Sequence, residues 1–256
     1  MRKGAEKFRS GDALPPPPSG RPCAARIPTF APAAKSPARA RSVIRRAAPQ
    51  AAFPASFAPL ETMKPHLAPT PKMKRLFHKL VEHWGNPTGV AAFNLASGAP
   101  DAPLPTVHVL VWEDPEGSAT AFNTLGMAER RMPHADFFAE LHCIVNGATT
   151  PDERADMARF LANLAEHPFR SDVKFDWWER ISSPAGVPLF ATCFDVLFHS
   201  ALIQDDPDDL ADEDGPVKLL YALPLTSYES YVLANQGRKA FADYLVANDV
   251  DPFARR

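Results

Sequence analysis

The chain has 256 residues and a formal net charge of −2, a near-neutral sum that hides two different materials. Residues 1–62 hold 11 Lys/Arg against 3 Asp/Glu, whereas residues 63–256 hold 17 against 27, so the body is acidic and is expected to repel nucleic acid. Three scattered cysteines (Cys23, Cys143, Cys193) exclude a disulfide framework and fit a reducing, cytoplasmic setting, and no run approaches the roughly 18 apolar residues of a membrane helix.

Residues 1–62 contain PPPPSG and then Ala, Pro and Arg without period. Such a segment buries too little apolar surface to offset chain entropy and is expected to be disordered. Three readings stay open for it: a nucleic-acid-binding tail, an organelle transit peptide, or upstream sequence ahead of a true start at Met63 or Met73. The folded domain is expected over residues 70–256.

Met73, Leu76, Phe77, Leu80, Val81 and Trp84 recur at helical spacing and Gly85 follows as a stop, which predicts an amphipathic helix docked by one stripe. Asn86–Pro105 reads as loop. Thr106–Glu113 and Ser118–Leu125 read as strands joined by the turn Asp114-Pro115-Glu116-Gly117, a hairpin. Along Asp136–Asn146 the odd positions Phe137, Ala139, Leu141, Cys143 and Val145 are apolar, and the even ones, Glu140 and His142 among them, are mixed. A period of two over this length predicts a half-buried strand.

Thr150, Pro151 and Glu153 form a capping box that opens a helix, and His167-Pro168 is expected to end it. Phe169–Pro188 reads as mostly irregular. Phe190–His199 is a predicted strand with Phe190, Phe194, Val196 and Phe198 on one side, Asp205–Gly215 an acidic loop, and Val217–Leu223 a fifth strand closed by Pro224. Two helices finish the chain, near Tyr228–Gln236 and Arg238–Asn248, separated at Gly237. The fold class is therefore α+β: a mostly antiparallel sheet of about five strands with helices packed at both chain ends.

Candidate chemistry is sparse. Glu140 and His142 stand two apart on one strand face, so a carboxylate could orient an imidazole as half of an acid–base site in a hydrolase or transferase. No nucleophile can be placed beside them, and a surface ion pair or cross-strand contact is the expected account. The eight histidines offer no close ligand pair and there is no Cys-x-x-Cys, so neither metal nor cofactor is expected. Asp205, Asp206, Asp208, Asp209, Asp212, Glu213 and Asp214 crowd into ten residues without the register of a calcium loop; the segment reads as a solvated tip or as a docking patch for a basic protein. Trp177 and Trp178 read as core or as an anchor for a partner.

Four stretches in order resemble the suppressor-of-fused family in its short bacterial form. They are Asn123–Met132 (NTLGMAERRM), the strand Phe137–Val145, the helix ending Leu161–Phe169 (LANLAEHPF), and Val217–Arg256, which runs from VKLLYALPLTSYES to the terminal DPFARR. The first departs from the family pattern at Ala128, where a serine is expected. The resemblance implies an α+β sandwich without enzymatic activity. It also implies binding of a protein: animal members sequester transcription factors, and bacterial members look like immunity proteins that neutralise a toxin domain. No site residue is implied by it. The partner expected here is therefore a protein, with a basic toxin domain as the specific expectation.

Overall fold

The computed structural model describes residues 68–94, 104, 106–203 and 206–256. The expected leader over residues 1–62, Cys23 and Asp205 lie outside the described residues. The elements run α1 (Pro71–Trp84), β1 (Gly89–Phe93), β2 (Val107–Glu113), β3 (Ala119–Leu125), a 3-10 turn (Met127–Glu129) and β4 (Phe138–Asn146). They continue with α2 (Pro151–Ser171), β5 (Arg180–Ser182), β6 (Cys193–His199), β7 (Asp209–Leu210), β8 (Val217–Thr226) and α3 (Ser227–Ala247).

All eight strands form one sheet in the order β1-β2-β3-β4-β8-β6-β5, with β7 paired to the start of β8. The β4–β8 pair is parallel and every other pair is antiparallel. The α+β class and the mostly antiparallel sheet are as expected. The additional strands are short edge or side pieces: β1 lies in the stretch read as loop, β5 in the stretch read as irregular, and β7 inside the acidic loop. None has a hydrophobic period long enough to show in a sequence window.

Helices cover both faces. The apolar stripe of α2, from Met157 through Leu161 to Ala165, packs on Val109, Phe122, Leu141, Cys143 and Phe198. On the other face α1 lays Leu76, Phe77, Leu80 and Trp84 on Leu110, Trp112, Leu125, Ile144 and Tyr221. Beside it α3 brings Val232 and Phe241 to Leu197, Leu223 and Leu225. The expected half-buried β4 is therefore corrected: every residue from Ala139 to Val145 is buried, because α1 roofs the face that its mixed composition suggested was wet. Among the described residues no helix is long and apolar enough to cross a membrane.

The caps follow the sequence. Thr70 accepts from Met73 N–H at 3.1 Å and Pro71 takes the first turn of α1. Thr150 and Glu153 close the capping box of α2, and Thr226 with Glu229 does the same for α3. Gly237 breaks α3 with φ 86° and ψ 176°, a backbone state open to glycine and strained for other residues, so the two expected terminal helices are the arms of one kinked element.

Three local features differ from expectation. Helix α2 runs through Pro168 to Ser171, since Leu164, Ala165 and Pro168 are buried on the sheet and that burial outweighs the local preference. Strand β8 runs through Pro224 to Thr226; its pairing with β4 ends at Tyr221, so the proline sits where β8 has a neighbour on one side only. Strand β6 bulges between Cys193 and Asp195, leaving Phe194 as the extra residue, 45% exposed rather than facing the core with Val196 and Phe198.

Leu141 is fully buried at the centre of the face beneath α2. Leu141→Ala is expected to cost about 2–5 kcal/mol through the cavity it leaves, seen as a lower urea midpoint at unchanged slope.

Candidate functional site

Strand β3 ends in Thr124-Leu125-Gly126-Met127-Ala128, and the turn this makes is built round one carboxylate. Glu140 of β4 accepts from the Thr124 hydroxyl at 2.6 Å and from the backbone N–H groups of Gly126 at 2.8 Å, Ala128 at 3.0 Å and Met127 at 3.3 Å. Thr124 Oγ1 in turn accepts from Leu141 N–H at 2.8 Å. Successive amides of a tight turn converge in this way on anions. Gly126 is required at its place: φ is 127°, and a Cβ would lie 2.7 Å from the Thr106 carbonyl oxygen. The departure at Ala128 costs nothing in this contact, since Ala128 contributes its backbone N–H.

Glu140 is 0% exposed and His142 1%, which corrects the expected surface ion pair and its small energetic weight. The two side chains do not bond each other. Burial pushes the Glu140 carboxyl up, while its four donors pull it back toward the ionised form. His142 lies in an aromatic slot, stacked on Trp84 at 4.5 Å and tilted against Tyr221 at 4.6 Å. Its Nδ1 is 3.2 Å from Asn123 Oδ1, an acceptor, so Nδ1 carries the proton. Nε2 finds no hydrogen-bond partner among the described residues. Burial lowers its pKa to about 4, so the ring is neutral at pH 7.

Above this slot Asp206 joins α1 to β8. It accepts from Trp84 Nε1 at 3.1 Å and Tyr221 Oη at 3.0 Å, and lies 3.3 Å from His83 Nε2. Nothing in the spacing of Asp206 signals this role; the stripe that carries Trp84 was visible, its indole partner was not.

The acidic segment is divided between inward and outward work. Asp212 receives Arg75 bidentately, at 2.9 and 3.1 Å, with its carboxylate fully buried, and the guanidinium holds that carboxyl below its usual range. Arg75 also meets Glu213 at 2.5 Å and Asp214 at 3.2 Å. These residues clamp the loop to α1. Asp208, Asp209, Glu213 and Asp214 are exposed. A shallow depression of about 280 Å³ lies beside Asp209, which lines it together with Lys79, Glu82, His83, Pro207 and Leu210.

Trp177 and Trp178 are half-buried and serve different cores, Trp177 the one beneath α2 and Trp178 the one beneath α3. Lys218 Nζ stands 4.8 Å from the Trp177 ring centre, and Arg238 5.3 Å from that of Trp178. They do not make a single aromatic patch. The exposed aromatic pair is elsewhere: Tyr228 and Tyr231 on α3, 57% and 56% exposed. Among the described residues no group of three His, Cys, Asp or Glu side chains is placed to hold a metal ion. Cys143 and Cys193 are buried free thiols, the first pushed up to about 12 by burial.

The terminal segment ties the far end of the sheet. Asn146 N–H donates to the Phe253 carbonyl at 2.8 Å, Thr192 N–H to the Arg256 carbonyl at 2.9 Å, and Arg256 reaches Glu229 and the Pro224 carbonyl. Arg255 pairs with Glu153 at 2.6 Å. The strand, helix and tail of the C-terminal stretch thus close on one another.

These features define a three-layer α+β domain with a buried polar centre and charged outer loops. The family model of suppressor of fused protein matches residues 103–254, and the chain belongs to the suppressor-of-fused family. A solved suppressor-of-fused homologue from Neisseria gonorrhoeae superposes with a TM-score of 0.53 at 14% identity, over 72% of this chain and 94% of that one. The Sufu–Fu complex and Drosophila Suppressor of Fused each give 0.49 at 12% identity over 72% of this chain, and 86% and 48% of theirs. Comparison with curated proteins finds no match.

The depressed pKa of His142 has a definite sign. With a folded value of about 4 and an ordinary value of 6.5, the unfolded chain binds more protons between those pH values, so stability falls as pH drops from 6.5 to 4. The loss from this group is on the order of 3 kcal/mol. His199, also depressed by burial, acts in the same direction, so the measure is the difference between wild type and His142→Gln. The variant is expected to lose less stability over that interval, followed by urea unfolding at stepped pH.

Proposed function

We propose that the domain is a non-enzymatic protein-binding module, and more specifically an immunity-type protein that holds and neutralises a cognate toxin domain or sequesters a regulatory partner. The observation that carries this reading is the division of polar groups. Glu140 and His142, the pair an acid–base mechanism would use, are walled in at 0% and 1% exposure. Glu140 is committed to backbone amides and Thr124, and neither residue lines the depressions on either side of the domain. The alternative, a hydrolase or transferase using that pair, would need substrate to reach them through α1. The outward groups suit contact instead: Asp208 and Asp209 present exposed carboxylates, and Asp209 lines a shallow depression.

A basic protein is the partner such a surface fits. Exposed carboxylates of this kind raise the encounter rate more than the final affinity, and their effect fades beyond a Debye length of about 8–10 Å. Asp206, Asp212, Glu213 and Asp214 are left out of the contact because they hold α1. The partner to test is the protein encoded beside this one. Asp208→Asn and Asp209→Asn together are expected to slow association several-fold at low salt and to leave it nearly unchanged at high salt, since rim charges act through the on-rate. An on-rate indifferent to both the substitutions and the salt would remove this loop from the interface.

A further inference from the structure

A second charged surface, of opposite sign, lies on the segment that leaves the Glu140-bound turn. Arg130 and Arg131 are both exposed. The backbone beneath them is fixed at two points. Upstream, Glu140 holds the amides of Gly126 to Ala128. Downstream, Met132 is buried and its sulfur accepts from Phe175 N–H at 3.4 Å, while its carbonyl accepts from Ala135 N–H at 3.2 Å. Between this segment and the end of α2 is a depression of about 320 Å³ lined by Arg130, Arg131, Pro133, Phe169 and Asp172.

The arginines here are unlike most others in the domain. Arg75, Arg154, Arg180, Arg255 and Arg256 each hold a carboxylate, whereas Arg130 and Arg131 form no ion pair among the described residues. Arg131 instead leans over the Phe138 ring at 5.0 Å, which steadies it without neutralising it. The one carboxylate on the rim, Asp172, lies 3.4 Å from His134 Nε2. Two adjacent guanidiniums free for bidentate contact, above an apolar floor of Pro133 and Phe169, match a carboxylate-bearing protein segment that also carries an apolar side chain.

We propose that the Arg130–Arg131 depression is a docking site for an acidic segment of a protein partner, distinct from the acidic loop and contacting the partner with the opposite charge. This rests on the protein-binding reading but not on the acidic loop. Its occupant is an acidic peptide rather than a nucleic acid, because the rest of the domain carries excess negative charge.

The test uses the full chain and a fluorescein-labelled synthetic peptide of six glutamates around one leucine, followed by fluorescence anisotropy. Saturable binding that weakens with salt is expected. Arg130→Glu with Arg131→Glu should weaken it by about tenfold or more, as expected for loss of charge-assisted contacts, and the milder Arg130→Gln with Arg131→Gln should weaken it less, with far-UV circular dichroism unchanged for both. Arg238→Glu should leave binding as it was, and so should the Asp208 and Asp209 variant, which separates this site from the acidic-loop contact. No binding by the wild type overturns the proposal. So does equal binding of a peptide with glutamines in place of glutamates, or equal binding by the charge-reversed variant. Inorganic phosphate that displaces the peptide as effectively as unlabelled peptide does would reduce the site to a simple anion site and also overturns it.

Discussion

A carboxylate at the middle of a sheet, shut off from water by a helix, costs several kcal/mol unless donors replace the water it has lost. Glu140 meets four: one hydroxyl and three consecutive backbone amides. The amides gain as much as the carboxylate, because a tight turn pressed against the sheet would otherwise bury N–H groups without acceptors. This reciprocal satisfaction sets where β3 ends and how the chain leaves toward Arg130 and Met132. It also gives the motif Thr124-x-Gly126-Met127 a physical meaning. The threonine supplies the hydroxyl, the glycine supplies a positive φ against the Thr106 carbonyl, and Met127 is buried behind them.

The same constraint extends to α1. With Glu140 and His142 facing away from α2, the sheet needs a second cover, and α1 supplies it through Leu76, Phe77, Leu80 and Trp84. That contact is apolar, made with Leu110, Trp112, Leu125, Ile144 and Tyr221. Two side-chain links reinforce it, Arg75 to the loop carboxylates at one end and Trp84 to Asp206 at the other. Asp206, Asp212, Glu213 and Asp214 are thereby converted from surface charge into a strap. What remains outside, Asp208 and Asp209, sits apart from Arg130 and Arg131 in sequence and in sign, so the domain presents two surfaces of opposite charge rather than one acidic body.

Much of the frame was legible from local signals. The capping box at Thr150–Glu153, the stripe from Met73 to Trp84, the hairpin at Asp114–Gly117 and the break at Gly237 are short-range features whose physics is complete within a few residues, and each appears where the spacing put it. The missed features are all decided at a distance. Burial of Glu140 depends on a helix some 60 residues upstream. Pro168 stays helical because its face is buried, and Pro224 stays in a strand because a neighbouring strand has ended. Phe194 is turned outward by a bulge, which an alternating pattern cannot show. The three short strands pair by register against long ones and have no period of their own. At the surface, the crowded carboxylates of the acidic segment looked alike in sequence, and among the described ones only the position of Arg75, Trp84 and Tyr221 separates those that bind within the domain from those that face out.

The turn's dependence on Glu140 is the central claim, and native-state amide exchange tests it most directly. In Glu140→Ala the amides of Gly126, Met127 and Ala128 should exchange faster than in wild type while those of the β2–β3 hairpin stay protected. Global stability should drop by about 3–5 kcal/mol, the scale of leaving several buried donors without an acceptor. Unchanged protection at those three amides together with a loss below about 1 kcal/mol, the weight of an exposed ion pair, would contradict it.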